Sequence, residues 1–217
     1  MAHFEDPTNE YSTVHSSSEG EVLSRLRRAT WLSTTKPQML SDPIQGRFLA
    51  IISKMIKPVR ILELGTFTGY STICLSEGLE KEGVIDTVEI NDELQEIHEK
   101  YFKEAGIREV VKRHYGHALE IMKRGEIEGP YDLVWIDADK EHQIEYVEFA
   151  ISKLKTDGWL LIDNVIWGGS VFDKQKLNKA DSGASRIHRL NQYIVECKKV
   201  ENVLIPVWDG LQVLRKI

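Results

Sequence analysis

The runs Tyr-Asp-Leu-Val-Trp-Ile-Asp-Ala-Asp-Lys (131–140) and Gly-Trp-Leu-Leu-Ile-Asp-Asn (158–164) decide the fold of this chain. Each run reads as a buried strand that ends abruptly at carboxylates, and a helix-length segment separates the two. Strands joined by a helix run parallel, so both carboxyl ends lie at the same edge of the sheet, where ligands bind. We therefore expect Asp137, Asp163 and Asn164 to aim hard oxygen ligands at one point, as in a Mg²⁺ or Ca²⁺ site.

A simpler interpretation of these acids stays open. Strand-end carboxylates often cap the helix or loop that follows them, and Asp137 or Asp163 taken alone could do only that. The pairing of Asp163-Asn164 with Asp137 on the neighbouring strand favours the metal site. Asp139 is expected to support that site or to cap the next helix rather than to bind the ion.

The rest of the chain alternates between strand-like and helix-like segments. Strands are predicted over residues 60–64, 84–90, 110–114, 133–137, 159–163, 203–207 and 212–217. Helices are predicted over residues 20–33, 69–78, 92–105, 118–124, 142–154 and 182–198, with one more beginning at Asp42-Pro43.

This alternation predicts an α/β fold with a doubly wound, mostly parallel seven-stranded sheet and helices on both faces. The last two strands are separated only by Trp208-Asp209-Gly210-Leu211. Asp-Gly in so short a connection indicates a hairpin, so one terminal strand should run antiparallel.

Length and composition indicate one soluble domain, predicted over residues 21–217, preceded by a flexible polar arm over residues 1–20. The net charge of −6 argues against a broad basic face for nucleic acid. Cys74 and Cys197 are expected to be reduced, buried thiols. No apolar run reaches membrane-spanning length and no signal peptide is evident, so a cytoplasmic location is the expectation.

The turn after the first predicted strand reads Glu-Leu-Gly-Thr-Phe-Thr-Gly-Tyr-Ser (63–71). Gly65 and Gly69 allow a tight turn and a close approach of the backbone to a ligand. Glu89 ends the second strand twenty residues past Gly69, where a carboxylate is placed to hydrogen bond the hydroxyls of a ribose. These residues predict a nucleoside site.

Two alternatives to this interpretation stay open. The glycines and Glu89 could belong to an ordinary strand–helix turn with a solvated acid, or the chain could be a non-catalytic module that binds a nucleoside or NAD. A dinucleotide fingerprint requires a third glycine, which is missing here, and Glu63 would repel a pyrophosphate. An acid beside the turn suits a ligand that carries an amino group.

Three segments together resemble one known family, the cation-dependent class I O-methyltransferases, which includes caffeoyl-CoA and catechol O-methyltransferases and bacterial relatives. These segments are residues 63–71, Ile-Asp-Ala-Asp-Lys (136–140) and Asp-Asn-Val-Ile-Trp-Gly-Gly-Ser (163–170). The resemblance extends from about Met39 to the C-terminus. It implies a Rossmann-like fold and S-adenosylmethionine as methyl donor.

By matching position, the resemblance implies which residues act. Those expected to line the S-adenosylmethionine site are Met39, Ser41, Glu63, Gly65, Ser71, Glu89, Gly116, His117, Ala118 and Asp137. Within that set, Glu89 would hold the ribose, Gly116-His117-Ala118 would flank the adenine, and Met39 and Ser41 would close over the cofactor.

The resemblance also implies the groups that carry the reaction. Asp137, Asp163 and Asn164 match the family's metal ligands, with Mg²⁺ expected first and Ca²⁺ or Mn²⁺ as alternatives. Lys140 matches the lysine proposed as general base, although most lysines are merely solvated, and a lysine must be neutral to accept a proton. Trp167 matches a substrate-facing aromatic, against the alternative of plain core. Members of the family are commonly homodimers.

The methyl acceptor is left open between two classes. After Asp-Ala-Asp-Lys, plant-type members usually carry Asn-Tyr where this chain has His142 and Gln143. A caffeoyl-CoA acceptor is therefore not carried over, and a small catechol-like phenol is preferred. The alternative is a hydroxylated uridine in tRNA, for which basic residues such as Arg186 and Arg189 could form a local patch.

Overall fold

A computed structural model describes residues 7–217 of the chain. Its α-helices are α1 (Pro7–Val14), α2 (Glu21–Ser33), α3 (Pro43–Ile56), α4 (Tyr70–Ser76), α5 (Gln95–Glu104), α6 (Ala118–Lys123), α7 (Gln143–Lys153), α8 (Lys174–Leu177) and α9 (Gly183–Glu196). Short 3₁₀ helices cover Pro37–Met39, Asp92–Leu94 and Ser170–Phe172. The strands are β1 (Arg60–Leu64), β2 (Val84–Glu89), β3 (Val111–Tyr115), β4 (Tyr131–Ile136), β5 (Leu154–Asp163), β6 (Val200–Ile205) and β7 (Leu211–Lys216).

The strands form one seven-stranded sheet in the order β3-β2-β1-β4-β5-β7-β6. Strands β1 to β5 pair in parallel, and β7 runs antiparallel to both of its neighbours, β5 and β6. The predicted doubly wound, mostly parallel sheet is therefore confirmed. The predicted antiparallel strand is β7, which the hairpin after β6 inserts between β6 and β5.

Helices cover both faces of the sheet because alternate strand residues point to opposite sides. In β4, Leu133 and Trp135 pack in the cluster that contains α2, α3, α4 and α5, whereas Val134 and Ile136 pack in the cluster that contains α6, α7 and α9. All four side chains are fully buried. This double burial explains why β4 reads as a continuous apolar run.

Two strands begin three or more residues away from their predicted starts. Strand β5 begins at Leu154 rather than at residue 159, and its register with β4 shifts between Tyr131 and Leu133. Asp157 adopts a left-handed φ of 65° within this stretch, so Asp157-Gly158 reads as a turn although the strand continues through it. Strand β6 covers Val200–Ile205 rather than residues 203–207.

Part of the segment predicted as a polar arm is structured. Helix α1 lies within it, and the carboxylate of Glu19 accepts hydrogen bonds from Arg27 at 2.5 Å and from the Tyr70 hydroxyl at 2.7 Å. Residues 1–6 of the predicted arm lie outside the described residues. Over residues 7–217, none of the helices combines the length and apolar character needed to cross a membrane.

The two cysteines differ in burial. Both are free within the described chain. Cys74 is fully buried in α4, and burial raises the pKa of its thiol to about 12. Cys197 is only half-buried, so the prediction of two buried thiols holds for Cys74 alone. Cys197 follows α9 directly, where the chain turns towards β6.

Candidate active site

The acids predicted to meet at the sheet edge leave neighbouring parallel strands at the same level. Ile136 pairs with Ile162, so Asp137, which follows β4, lies beside Asp163, the last residue of β5. The Asp137 amide donates to the Leu64 carbonyl at 2.8 Å, which continues the ladder to β1. The carboxyl ends of β1, β4 and β5 therefore form one continuous edge.

Lys140 joins the two acids. Its ammonium nitrogen lies 3.6 Å from Asp137 Oδ1 and 3.4 Å from the backbone oxygen of Asp163. Burial raises the pKa of Asp137, and the nearby Asp163 carboxylate raises it further, while Lys140 opposes both effects. Burial also raises the pKa of Asp163. The half-buried carboxylate of Asp137 and the buried carboxylate of Asp163 thus lie near a single lysine, which leaves negative charge that a further cation would neutralise.

Asp163 is held in place by donors on both sides. Its Oδ2 accepts from Gln45 Nε2 at 2.7 Å, and its Oδ1 accepts from the Asn164 backbone amide at 2.8 Å. Asn164 has a left-handed φ of 59°, a conformation that asparagine tolerates better than most residues. The chain turns sharply at this point, immediately past the end of β5. Two carboxylates and an amide oxygen form a set of hard donors that fits a divalent cation such as Mg²⁺.

The glycine-rich turn lies directly against the acidic edge. Gly65 has a φ of +99°, and a Cβ placed on it would collide with the backbone carbonyl of Asp137. Gly69 has a φ of +91°, and its Cβ would collide with the Phe102 ring. Both positions therefore require glycine for conformation and for space. The predicted nucleoside site and the predicted metal site share the backbone contact between residues 65 and 137.

Glu89 is the last residue of β2, and its carboxylate holds the turn that follows β1. Its carboxylate accepts from the Phe67 amide at 2.6 Å and from the Asn91 amide at 2.8 Å. Burial raises the pKa of this carboxyl, against the lowering effect of these backbone donors. Two donors leave acceptor capacity on both oxygens, so Glu89 is able to bind further hydroxyl groups.

Glu63 differs from the expectation that it lines the cofactor site. Its side chain has no exposed surface and accepts hydrogen bonds from the hydroxyls of Ser71, Thr72 and Thr87. Burial raises the pKa of Glu63 to about 7, although the three hydroxyl donors lower it. In this conformation Glu63 orients Ser71 from beneath the turn and offers no surface to a ligand.

The remaining predicted cofactor residues lie around the same edge. The Gly116 amide donates to the Glu89 carbonyl at 2.8 Å, which places residues 116–118 beyond the carboxyl ends of β2 and β3. His117 precedes α6 and Ala118 begins it. Met39 ends a 3₁₀ helix with 57% of its surface exposed, and Ser41 precedes α3 half-buried. Met39 thus leaves a large apolar side chain uncovered.

Trp167 stands apart from the core. It is 37% exposed, has a left-handed φ of 55°, and packs its indole against α9 at Gly183. A Cβ at residue 183 would lie 2.5 Å from the indole nitrogen, so glycine is what admits the ring there. This exposure is incompatible with the alternative that Trp167 is plain core.

Two residues of the site were missed by the sequence analysis. Gln45 lies in α3 and reaches Asp163, 118 positions away, and nothing in the spacing of α3 indicates such a contact. His98, on α5, is 1% exposed and lies between Phe67 and Tyr115. The position of His98 in the apolar stripe of a predicted helix indicates that it is buried. Its partners could not be predicted, because they depend on how α5 packs.

His98 holds the turn that follows β1 in place through the Phe67 carbonyl. Its Nε2 lies 2.5 Å from the Phe67 carbonyl, which only accepts, so Nε2 carries the proton and the neutral ring accepts from the Tyr115 hydroxyl at 2.9 Å. Phe67 has a φ of 47°, and its amide is the group that Glu89 binds. The strained Phe67 residue is therefore held on both sides, by Glu89 at the nitrogen and by His98 at the oxygen.

Comparisons with known proteins find similar sequences and a similar fold. The O-methyltransferase family model matches residues 13–217. A catechol O-methyltransferase of Niastella koreensis is 33% identical over 180 residues, which cover 81% of each chain. A caffeoyl-CoA O-methyltransferase of Stellaria longipes is 28% identical, covering 92% of this chain and 85% of the relative. The crystal structure of a Bacillus cereus O-methyltransferase in complex with SAH superimposes with a TM-score of 0.87, 25% identity and 96% coverage of both chains.

Protonation of His98 is expected to destabilise the fold. Burial lowers the pKa of this ring to about 4, below its ordinary value of about 6.5. The stability that depends on the neutral ring is therefore complete above pH 6.5 and is lost as the pH falls towards 4. We expect the difference in free energy of unfolding between the native chain and His98→Gln to fall by roughly 3 kcal/mol between pH 7 and pH 4. Urea unfolding at several pH values measures this difference, and a difference independent of pH would contradict the assignment.

Proposed function

This chain belongs to the O-methyltransferase family, and from that premise we propose that it methylates a hydroxyl of a small catechol-like phenol with the help of a divalent cation. S-adenosylmethionine is the methyl donor in this type of enzyme. The observation that carries the cation-assisted part is the position of Lys140 between the Asp137 carboxylate and the Asp163 backbone oxygen, directly beside the turn at Gly65. Buried acids with raised pKa values are typical of functional sites.

The proposed roles follow from chemistry and position. Asp137, Asp163 and Asn164 would hold the cation, and Gln45 orients Asp163 by its hydrogen bond of 2.7 Å. When bound, the cation would lower the pKa of an acceptor hydroxyl and fix a neighbouring oxygen, which suits the vicinal hydroxyls of a catechol. Lys140 is the proposed proton acceptor, because its amino group lies among the proposed metal ligands, where the acceptor hydroxyl would bind.

Methyl transfer is a direct displacement. The acceptor oxygen forms a bond to the methyl carbon while the bond from that carbon to sulfur breaks, and the electron pair of the broken bond stays on sulfur. Since a phenol titrates near 10, the site must assist the loss of its proton at neutral pH. Alignment of the two reactants contributes more to catalysis than this loss of a proton does, about 7–11 kcal/mol in well-oriented systems.

The cofactor and acceptor are proposed to be held by separate groups. Gly65 and Gly69 permit close approach of the backbone to the methyl donor, and Glu89 would bind its ribose hydroxyls. Gly116-His117-Ala118 would flank the adenine, with Met39 and Ser41 closing over it. Trp167, whose indole is partly exposed, would form one wall of the acceptor pocket.

Removal of one proposed metal ligand tests the dependence on a cation. Asp163→Asn keeps an oxygen acceptor for Gln45 but removes a charge, so turnover is expected to fall at least about 100-fold while affinity for S-adenosylhomocysteine stays within about threefold. Calorimetric binding and a labelled-methyl assay measure the two quantities. Asp157→Asn, an exposed acid in β5, serves as the matched control. Equal activity of the native chain with and without a chelator would rule out the metal assignment.

A separate experiment tests which class of acceptor is methylated. With labelled S-adenosylmethionine and Mg²⁺, we expect methyl transfer to catechols and none to bulk tRNA, because the net charge of −6 provides no broad basic footprint for RNA. Acyl-CoA phenols form a third arm. Transfer to tRNA that weakens steeply with salt, together with inert catechols, would establish the RNA alternative instead.

We also propose that the enzyme is a homodimer. Several large apolar side chains remain more than half exposed, including Leu32 on α2 and both Ile51 and Met55 on α3. Exposed apolar groups of this kind are commonly buried between subunits. Light scattering on the purified chain should give twice the 24.9 kDa mass, and Met55→Lys should shift the mass towards one chain. A native mass of one chain at micromolar concentration would contradict the proposal.

A further inference from the structure

We propose that this chain carries a second metal site, formed by His117, Asp139 and His142 and suited to a late transition metal such as Zn²⁺. His117 lies immediately before α6, whereas Asp139 and His142 lie between β4 and α7. One ligand atom of each residue lies within 4.8 Å of the ligand atoms of the other two. The two loops at this part of the sheet edge therefore bring two imidazoles and a carboxylate together.

The spacing of the donors is close to what one ion requires. His142 Nδ1 lies 2.9 Å from Asp139 Oδ1. Two ligands that each lie about 2.1 Å from a tetrahedral zinc are separated by about 3.4 Å. An ion would therefore replace the hydrogen bond between these two side chains with a shift of about half an ångström. The two residues lie three positions apart in the segment that precedes α7, so the local conformation of the chain brings them together.

His117 is available to complete the set. Its ring stands edge-on to the His142 ring, with centroids 5.1 Å apart and an interplanar angle of 85°. Over residues 7–217 no hydrogen bond to the His117 side chain is found, and the residue is half-buried rather than packed in the core. One of its ring nitrogens already lies within 4.8 Å of the ligand atoms of Asp139 and His142.

The carboxylate of this trio is oriented by neighbours, as metal-binding carboxylates usually are. Tyr146 donates a short hydrogen bond from its hydroxyl to Asp139 Oδ2. The backbone amides of Glu141 and His142 donate to Oδ1 at 3.0 and 3.1 Å. Asp139 therefore fixes the turn that leads into α7, although it does not cap the helix itself, and at the same time presents an oriented oxygen to the two histidines.

The donor chemistry separates this site from the one proposed for catalysis. Asp137, Asp163 and Asn164 offer only oxygen, which favours Mg²⁺, Ca²⁺ or Mn²⁺. Two imidazole nitrogens and one carboxylate favour Zn²⁺, Co²⁺, Ni²⁺ or Cu²⁺, and three protein ligands leave a position open for water or a small ligand. The inference goes beyond methyl transfer and does not depend on it.

Direct binding of Zn²⁺ tests the site. The full chain is freed of metal with a chelator and titrated with Zn²⁺ by calorimetry in the absence of S-adenosylmethionine. We expect one Zn²⁺ per chain and a rise in the melting temperature on binding. His117→Asn and His142→Asn should each weaken binding at least tenfold and abolish the rise, since both residues occupy N-cap positions, where asparagine is well tolerated but lacks the imidazole. Two variants are used so that misfolding of one leaves the other informative.

Two controls separate this site from other sources of binding. His188→Asn removes a half-buried histidine of α9 outside the cluster, and Asp163→Asn weakens the all-oxygen site. Both should keep Zn²⁺ affinity within threefold of the native chain. The proposal is wrong if the native chain binds no Zn²⁺, if either cluster variant that folds loses less than tenfold, or if Asp163→Asn alone abolishes binding. Because no methyl donor is present, a negative result here leaves the proposed methyl transfer untouched.

Discussion

The contact between the Gly65 backbone and the carbonyl of Asp137 is the constraint on which the rest of the site depends. No side chain fits between the two, so the turn after β1 and the end of β4 lie in direct backbone contact. The ladder bond from the Asp137 amide to the Leu64 carbonyl keeps them in register. In the proposed function, a ligand that follows the turn would therefore lie beside the acids, and the sheet rather than mobile side chains would set the distance between methyl donor and acceptor.

Buried acids of two kinds occur in this sheet, and their partners distinguish them. Asp86 is buried in β2, yet hydrogen bonds from His114, Arg60 and Tyr131 outweigh the effect of burial and lower its pKa. Asp137 and Asp163 lie at the edge with one shared lysine, and burial raises their pKa values. A fully paired acid stabilises the strand in which it lies, whereas an underpaired acid at a strand end retains capacity for a ligand.

The parts of this protein that could be predicted from the sequence are those fixed by local periodicity. Strand β1, the start of α3 at Asp42-Pro43 and the placement of Asp137 beside Asp163 follow from alternation and strand order. The contact of Gln45 with Asp163 could not be predicted, because it depends on the packing of α3 over the sheet edge. The burial of Glu63 was equally out of reach, because three hydroxyls from different segments enclose its carboxylate.

The missing side chain at Gly183 determines where the Trp167 indole lies, and through it the proposed acceptor pocket can change. The indole of Trp167 rests where residue 183 has no side chain, so the ring's tilt is governed from α9 and not from the strands that carry the acids. A methyl group at residue 183 would collide with the indole, so the ring would have to move, and the acceptor pocket proposed to lie beside it would change shape. Natural variation at such a position can retune molecular recognition while the reacting groups keep their arrangement, which separates the evolution of selectivity from that of the chemistry.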